Sequence, residues 1–336
     1  MLTVVIVAVG VGTYIATRAF AGPGGGPGRA STAGATGASA TLRATPSPSP
    51  SPPHPAGNIG DYTVGEHRYT FTEHARAALG NRVLTVTVRY PATGQAPKSA
   101  AAGTGEFPLV IFAPGYRQCS ASYNILLHEW ASAGYVVAAV NFPRTNCYVV
   151  NPDETDLVNQ PADLTFVISQ LQRMSSRPGG PLSGMISPTK VAVAGHSDGG
   201  DTVAAMAGMS CCRYSGLRAA LVLSGAEWPA FGGRWFSGPT APVLFVQGTA
   251  DAINPPAASI QLYEADRTGT RYYLQLDGAD HLMPYEGDSP PEPIVARVTT
   301  AFLDHFLADD GNTVGAIRHS ADVLGRSKLV DGGQLP

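Results

Sequence analysis

A serine hydroxyl becomes a useful nucleophile only beside a base, and the base works best when a third group orients it. The segment Gly195-His196-Ser197-Asp198-Gly199-Gly200 has the G-x-S-x-G form, follows the apolar run at 191–194 (VAVA) and precedes a helical pattern. In that setting it reads as a nucleophile elbow, with Ser197 in a strained turn at the carboxyl edge of a sheet, beside the positive end of the next helix. The expected order of partners is then serine, acid, histidine. Asp251 lies in Gln247-Gly248-Thr249-Ala250-Asp251, after the run at 243–246 (VLFV). His281 ends Leu276-Asp277-Gly278-Ala279-Asp280-His281, after 272–276 (YYLQL). Asp277, Asp280 and Glu227 stay open as alternative acids. The chemistry such a set performs is acyl transfer. It needs two oxyanion donors, and the candidates are the backbone N–H of Asp198 and that of Tyr116, in the Pro114-Gly115-Tyr116-Arg117-Gln118 loop after 109–113 (LVIFA).

His196 adjoins the serine but should point away from the reacting atoms, as a packing or hydrogen-bonding residue. His67, His74, His128, His305 and His319 have no catalytic context, and His54 falls in a polar stretch.

These residues need elements to hold them. From about residue 80, apolar β-rich runs alternate with helical patterns, the signature of βαβ units and a mostly parallel sheet flanked by helices. The run at 83–90 (VLTVTVRY) alternates like a half-exposed strand near an edge, whereas 109–113 is continuously apolar, as in a strand buried on both faces. A helix follows with Tyr123, Leu126, Leu127, Trp130 and Ala131 on one face, Ser122 as N-cap and Gly134 as its stop. The run at 135–140 (YVVAAV) is the next strand, 141–159 a long loop, and about 161–174 a helix with Pro161 in its first turn. Strands at 191–194, 220–223, 243–246 and 272–276 complete the series, and Ile294, Val298, Phe302 and Phe306 form the stripe of a closing helix. Residues 309–336 read as a polar tail.

With 336 residues, 44% hydrophobic and 14% charged, the chain can build one large core. A net charge of −3 without a basic cluster excludes a nucleic-acid footprint. Residues 1–21 hold an uncharged apolar run at 2–17, then Arg18 and Ala19-Phe20-Ala21, a small-x-small pattern. They read as a signal peptide or N-terminal membrane anchor, although Arg18 follows the run rather than preceding it. Residues 22–58 are rich in Gly, Ala, Pro and Ser and read as a disordered linker. The catalytic domain is then 59–308, on the extracytoplasmic side, secreted or tethered. Four cysteines suit export. Cys119 and Cys147 each follow a strand and should meet at one end of the sheet, while Cys211 and Cys212 should lie at the other. No spacing resembles a metal site.

The combination of Arg89–Ala92 (RYPA), 112–116 (FAPGY), GHSDGG, the Gly248–Asp251 loop and LDGADH resembles the dienelactone-hydrolase and platelet-activating-factor-acetylhydrolase-like branch of the α/β hydrolases, related to bacterial cutinases and polyester hydrolases. The resemblance spans about residues 60–308. It implies an α/β-hydrolase fold and a cofactor-free carboxylic ester hydrolase; the expected substrate is a small-molecule, lipid or polymer ester, and the chain is expected to be a monomer. It also implies that Ser197, Asp251 and His281 are catalytic and that Tyr116 and Asp198 form the oxyanion hole. Trp228 is placed like the aromatic platform of polyester hydrolases. Asp198 departs from the pattern, standing where cutinase-type enzymes usually carry Met, and its carboxylate should disfavour anionic substrates or alter acyl fit. A peptidase or amidase, an acyltransferase, and a non-catalytic binding module on a stalk are the competing readings.

Overall fold

The computed structural model describes residues 59–76, 79–93, 101–102, 106–238, 240–267, 269–307 and 314–332. The chain divides into Met1–Ser47 and Pro48–Pro336, and everything described lies in the second unit. The apolar run at 2–17, the small-x-small site, His54 and the Gly/Pro-rich stretch through residue 58 lie outside the described residues. Among the described residues no helix is long and apolar enough to cross a membrane.

One sheet organises the unit. In chain order its strands are β1 (Thr63–Glu73), β2 (Arg82–Thr93), β3 (Ala101–Ala102), β4 (Phe107–Ala113), β5 (Val136–Asn141), β6 (Ile186–His196), β7 (Leu217–Leu223), β8 (Val243–Gly248), β9 (Arg271–Leu276) and β10 (Ser327–Asp331). Their spatial order is β1-β2-β5-β4-β6-β7-β8-β9-β10, with β3 pairing β2. The central strands β5 to β9 run parallel through β4, and antiparallel pairs close both edges. The mixed sheet with flanking helices is the α/β arrangement that the alternating runs anticipate.

Central strands buried on both faces must be apolar at every position, and β4 and β5 are buried throughout. Alternate residues serve opposite sides. Val110 and Phe112 face one core with Ala194, Leu221 and Val246. That core is filled by α1 (Asn124–Ser132), α5 (Glu292–Leu307) and α6 (Val314–Ala321). Leu109 and Ile111 face the other core with Val193, Val222 and Phe245, under α2 (Gln160–Ser175), α3 (Asp198–Gly208) and α4 (Pro256–Ala265).

Three features differ from the sequence reading. β1, which the sequence reading did not anticipate, forms the edge, and β2 lies second from it, near the edge as expected. The C-terminal residues read as a polar tail hold α6 and β10, and β10 pairs antiparallel with β9. Ser122 does not cap α1. Tyr123 occupies the N-cap without a side-chain bond, and the Ser122 hydroxyl donates to Gln118 Oε1 at 2.7 Å.

Arg82, at the start of β2, anchors the long loop after β5. Its guanidinium donates to Asp156 Oδ1 and Oδ2 at 2.8 and 2.7 Å, and to Asp163 Oδ1 and Oδ2 at 2.7 and 2.5 Å. Arg82 side-chain exposure is 2%, and that of the two aspartates 3% and 0%. Arg76 also donates to Asp163 and to Glu73. The short 3-10 helix at Glu154–Asn159 is thereby fixed to the sheet.

Candidate active site

The elbow follows from what a side chain would hit. A Cβ on Gly195 would sit 2.1 Å from Gly199 O, and one on Gly199 would sit 1.9 Å from Ala113 O. Only glycines let β6 turn that sharply into α3. Ser197 takes φ 55° and ψ −125°, a left-handed conformation costing a non-glycine residue about 1–3 kcal/mol. The Ser197 N–H is held by Leu223 O at 2.9 Å. The β4 loop approaches closely here, because a Cβ on Gly115 would lie 3.1 Å from Ser197 Cβ.

Asp251 and His281 meet across the β8 and β9 loops. His281 Nδ1 lies 2.8 Å from Asp251 Oδ2. A Cβ on Gly248 would lie 2.3 Å from Ala279 O, so the glycine lets the two loops touch. Asp251 Oδ1 accepts from the N–H groups of Ile253 and Asn254 at 3.0 and 2.9 Å, and Oδ2 also accepts from Gln247 Nε2 at 2.9 Å. Burial pushes the Asp251 carboxyl up, but the bond to His281 and these donors outweigh it and hold it below the usual carboxylate value. The other acids do not bond the imidazole. Asp280 Oδ1 accepts from Leu282 and Met283 N–H, Asp277 from Gln275, and Glu227 from Gln261.

Ser197 and His281 open on one cavity of about 520 Å³, also lined by Tyr116, Asp198, Glu227 and Trp228. Its rim is stapled. Cys119 and Cys147 form a disulfide, as their strand-end placement anticipates. Arg117 N–H donates to Thr145 O at 2.7 Å, and the Tyr116 hydroxyl to Pro152 O at 3.1 Å. Together these fasten the Tyr116 loop to the loop after β5. Cys211 and Cys212, beyond α3, are joined to each other.

His196, as expected a hydrogen-bonding residue turned away from the reacting atoms, and residues the sequence reading gave no polar role support this centre. Tyr123, read as part of an apolar helix face, accepts the Gly115 N–H at 3.1 Å through its hydroxyl. That hydroxyl is 2.9 Å from His196 Nδ1, and His196 Nε2 is 2.9 Å from His281 O. A carbonyl only accepts, so Nε2 carries the proton and Nδ1 accepts from Tyr123. Burial, and then the neighbouring His281, hold His196 down at about 3, consistent with a neutral ring. The chain from Gly115 through Tyr123 and His196 ties the loop beside the serine to the backbone of His281. Asn254 Nδ2 donates to Ser224 O at 2.7 Å, tying the acid loop to the end of β7. Asn254, three residues after Asp251, has the spacing of a local turn around a carboxylate, which was a usable signal.

Asp198 is the unusual member. Burial raises its carboxyl to about 7, Glu154 adds to the rise, and its own backbone N–H opposes it. Burial likewise raises Glu286 to about 7, and burial with Glu129 and Asp288 raises Glu292 to about 8. The folded state therefore holds protons that the unfolded chain has released, so these groups make stability fall as pH rises toward their folded values. His196 acts oppositely, but only below about pH 6.5, where its unfolded form titrates. Tm is expected to fall between about pH 6.5 and about pH 8.5, with a smaller fall in Glu292→Gln; differential scanning calorimetry across that window tests this. A flat or rising Tm would contradict it.

The sheet order, the elbow and the strand-end placement of Ser197, Asp251 and His281 define an α/β hydrolase. The family model described as PET hydrolase-like matches residues 80–316, and the chain belongs to that family. Cutinase 1 of Thermobifida cellulosilytica is 26% identical over 204 residues, covering 60% of this chain and 69% of that protein. The cutinase of Thermobifida fusca strain YX is 26% identical over 204 residues, covering 60% of each chain. The bis(hydroxyethyl) terephthalate hydrolase of Streptomyces coelicolor is 28% identical over 221 residues, covering 64% of this chain and 61% of that protein.

Proposed function

We propose that this chain is a serine esterase working through an acyl-enzyme. Ser197 attacks the ester carbonyl while His281 takes its proton, and Asp251 orients the imidazole and stabilises its charged form. The N–H groups of Tyr116 and Asp198 receive the developing oxyanion. His281 then protonates the leaving alcohol, and water repeats the sequence on the acyl-enzyme to free the acid. The observation that carries the reading is the Asp251–His281 bond, opening on the same cavity as a strained, half-buried Ser197. Small diesters of an aromatic diacid and polyesters are the substrate class, by analogy with relatives named as cutinases and as a bis(hydroxyethyl) terephthalate hydrolase. Trp228 serves as an aromatic wall for the acyl part. The active unit works outside the cytoplasm, a reading supported by the two disulfides.

The test is rapid-mixing hydrolysis of p-nitrophenyl butyrate beside steady-state hydrolysis of bis(hydroxyethyl) terephthalate. The expected result is turnover of both, with nitrophenol release preceding acid release from the nitrophenyl ester. Absence of turnover on a panel of carboxylic esters would remove the esterase reading.

A further inference from the structure

The cavity shared by Ser197 and His281 is walled partly by carboxyl groups: Glu154 from the loop after β5, Asp198 and Asp201 on α3, and Glu227 after β7. Among the described residues that line it there is no lysine or arginine. Two of the acids have partners. Asp201 Oδ1 accepts the Ala226 N–H at 2.6 Å, and Glu227 Oε2 accepts from Gln261 at 2.9 Å. Asp198 differs, being 8% exposed with an Oδ2 that has no hydrogen-bond partner. A buried acceptor left without a donor is costly, and a ligand that brings the donor recovers that cost.

We infer that the cavity selects esters whose acyl part carries an ammonium group, with Asp198 as the specificity-determining partner; this rests on the esterase reading of Ser197. Asp198 directly follows the nucleophile and lines the same cavity, so an acyl group on Ser197 lies next to this residue. An ionised carboxylate only accepts hydrogen bonds, and its strongest partners are cationic donors. Glu154 and Glu227 add charge of the same sign in a partly enclosed space, where fields of like sign sum. Tyr116 and Trp228 line the same cavity, and aromatic faces attract cations further. The same field opposes an anionic acyl group and hastens departure of the carboxylate product.

The test uses three nitrophenyl esters of equal chain length: the neutral hexanoate, the ε-aminohexanoate and the half-ester of adipate. Each kcat/KM is divided by the ester's spontaneous hydrolysis rate, which removes differences in intrinsic reactivity. Assays run at about pH 8.5, where Asp198 is ionised and the alkyl ammonium is still charged. The expected order is cationic above neutral above anionic, with each step about tenfold. The cationic-to-neutral ratio, taken within each protein so that any general loss cancels, should collapse severalfold in Asp198→Asn and less in Glu154→Gln. Hydrolysis of the neutral ester with a flat or reversed charge ratio in the wild-type protein would overturn this inference while leaving the esterase reading intact. A preference for the cationic ester that survives Asp198→Asn would overturn the assignment to Asp198. Failure to hydrolyse any of the three would instead count against the esterase reading itself.

Discussion

Ser197→Ala is expected to lower kcat for ester hydrolysis by about four to six orders of magnitude while leaving the fold intact. In the proposed mechanism, removing one oxygen removes the attacking atom, and the oxyanion donors and the histidine cannot supply another. The substitution leaves backbone packing unchanged, because alanine fits the space of serine at φ 55°. The strain at this residue is set by the Gly195, Gly199 and Gly115 contacts, not by the hydroxyl. Circular dichroism and Tm should therefore match the parent. A folded variant that keeps more than about a hundredth of parental kcat would mean that another nucleophile carries the reaction.

The largest expected effect on stability lies away from the reacting atoms, at Arg82. Arg82→Leu leaves Asp156 and Asp163 buried without their main counter-charge, and breaking such a buried pair costs about 3–5 kcal/mol. For a domain of this size that corresponds to a Tm drop on the order of 10 °C. Replacing Arg82, Asp156 and Asp163 together by apolar residues of similar volume should cost much less, since no charge is then stranded. Denaturant unfolding of both variants separates the cases. Equal destabilisation would show that packing, not charge, dominates there. Activity should fall with Arg82→Leu below its Tm as well, because the loop that Arg82 anchors carries Glu154 to the cavity and holds the Tyr116 hydroxyl at Pro152.

Sequence carried the centre of this molecule better than its edges, for physical reasons. The strands at 109–113 and 243–246 are legible because burial on both faces demands unbroken apolar residues. The candidate triad is legible because the strand ends fix where a nucleophile, an acid and a base can stand. β1 was missed because an edge strand exposes most of its side chains, and GEHRYTFTE offers little apolar signal. β10 was missed because SKLVD is short and only half-buried, with two apolar residues, and it is held by backbone pairing with β9. The hydrogen bonds of Tyr123 and Gln247, and the partners of His196, could not be read at all. They join residues far apart in sequence or use polar atoms on side chains whose pattern looks apolar. Asp198 was visible as an odd residue beside the serine, but its unpartnered oxygen is a property of the folded cavity alone.

The proposed mechanism makes Ser197 a nucleophile activated by His281. Labelling the intact protein with a fluorophosphonate and mapping the adduct by peptide mass spectrometry tests it most directly. One adduct is expected, on the peptide holding Ser197, formed fast in the parent and slowed at least about a thousandfold in His281→Ala. An adduct on a different residue, or labelling of Ser197 at an undiminished rate without His281, would contradict it.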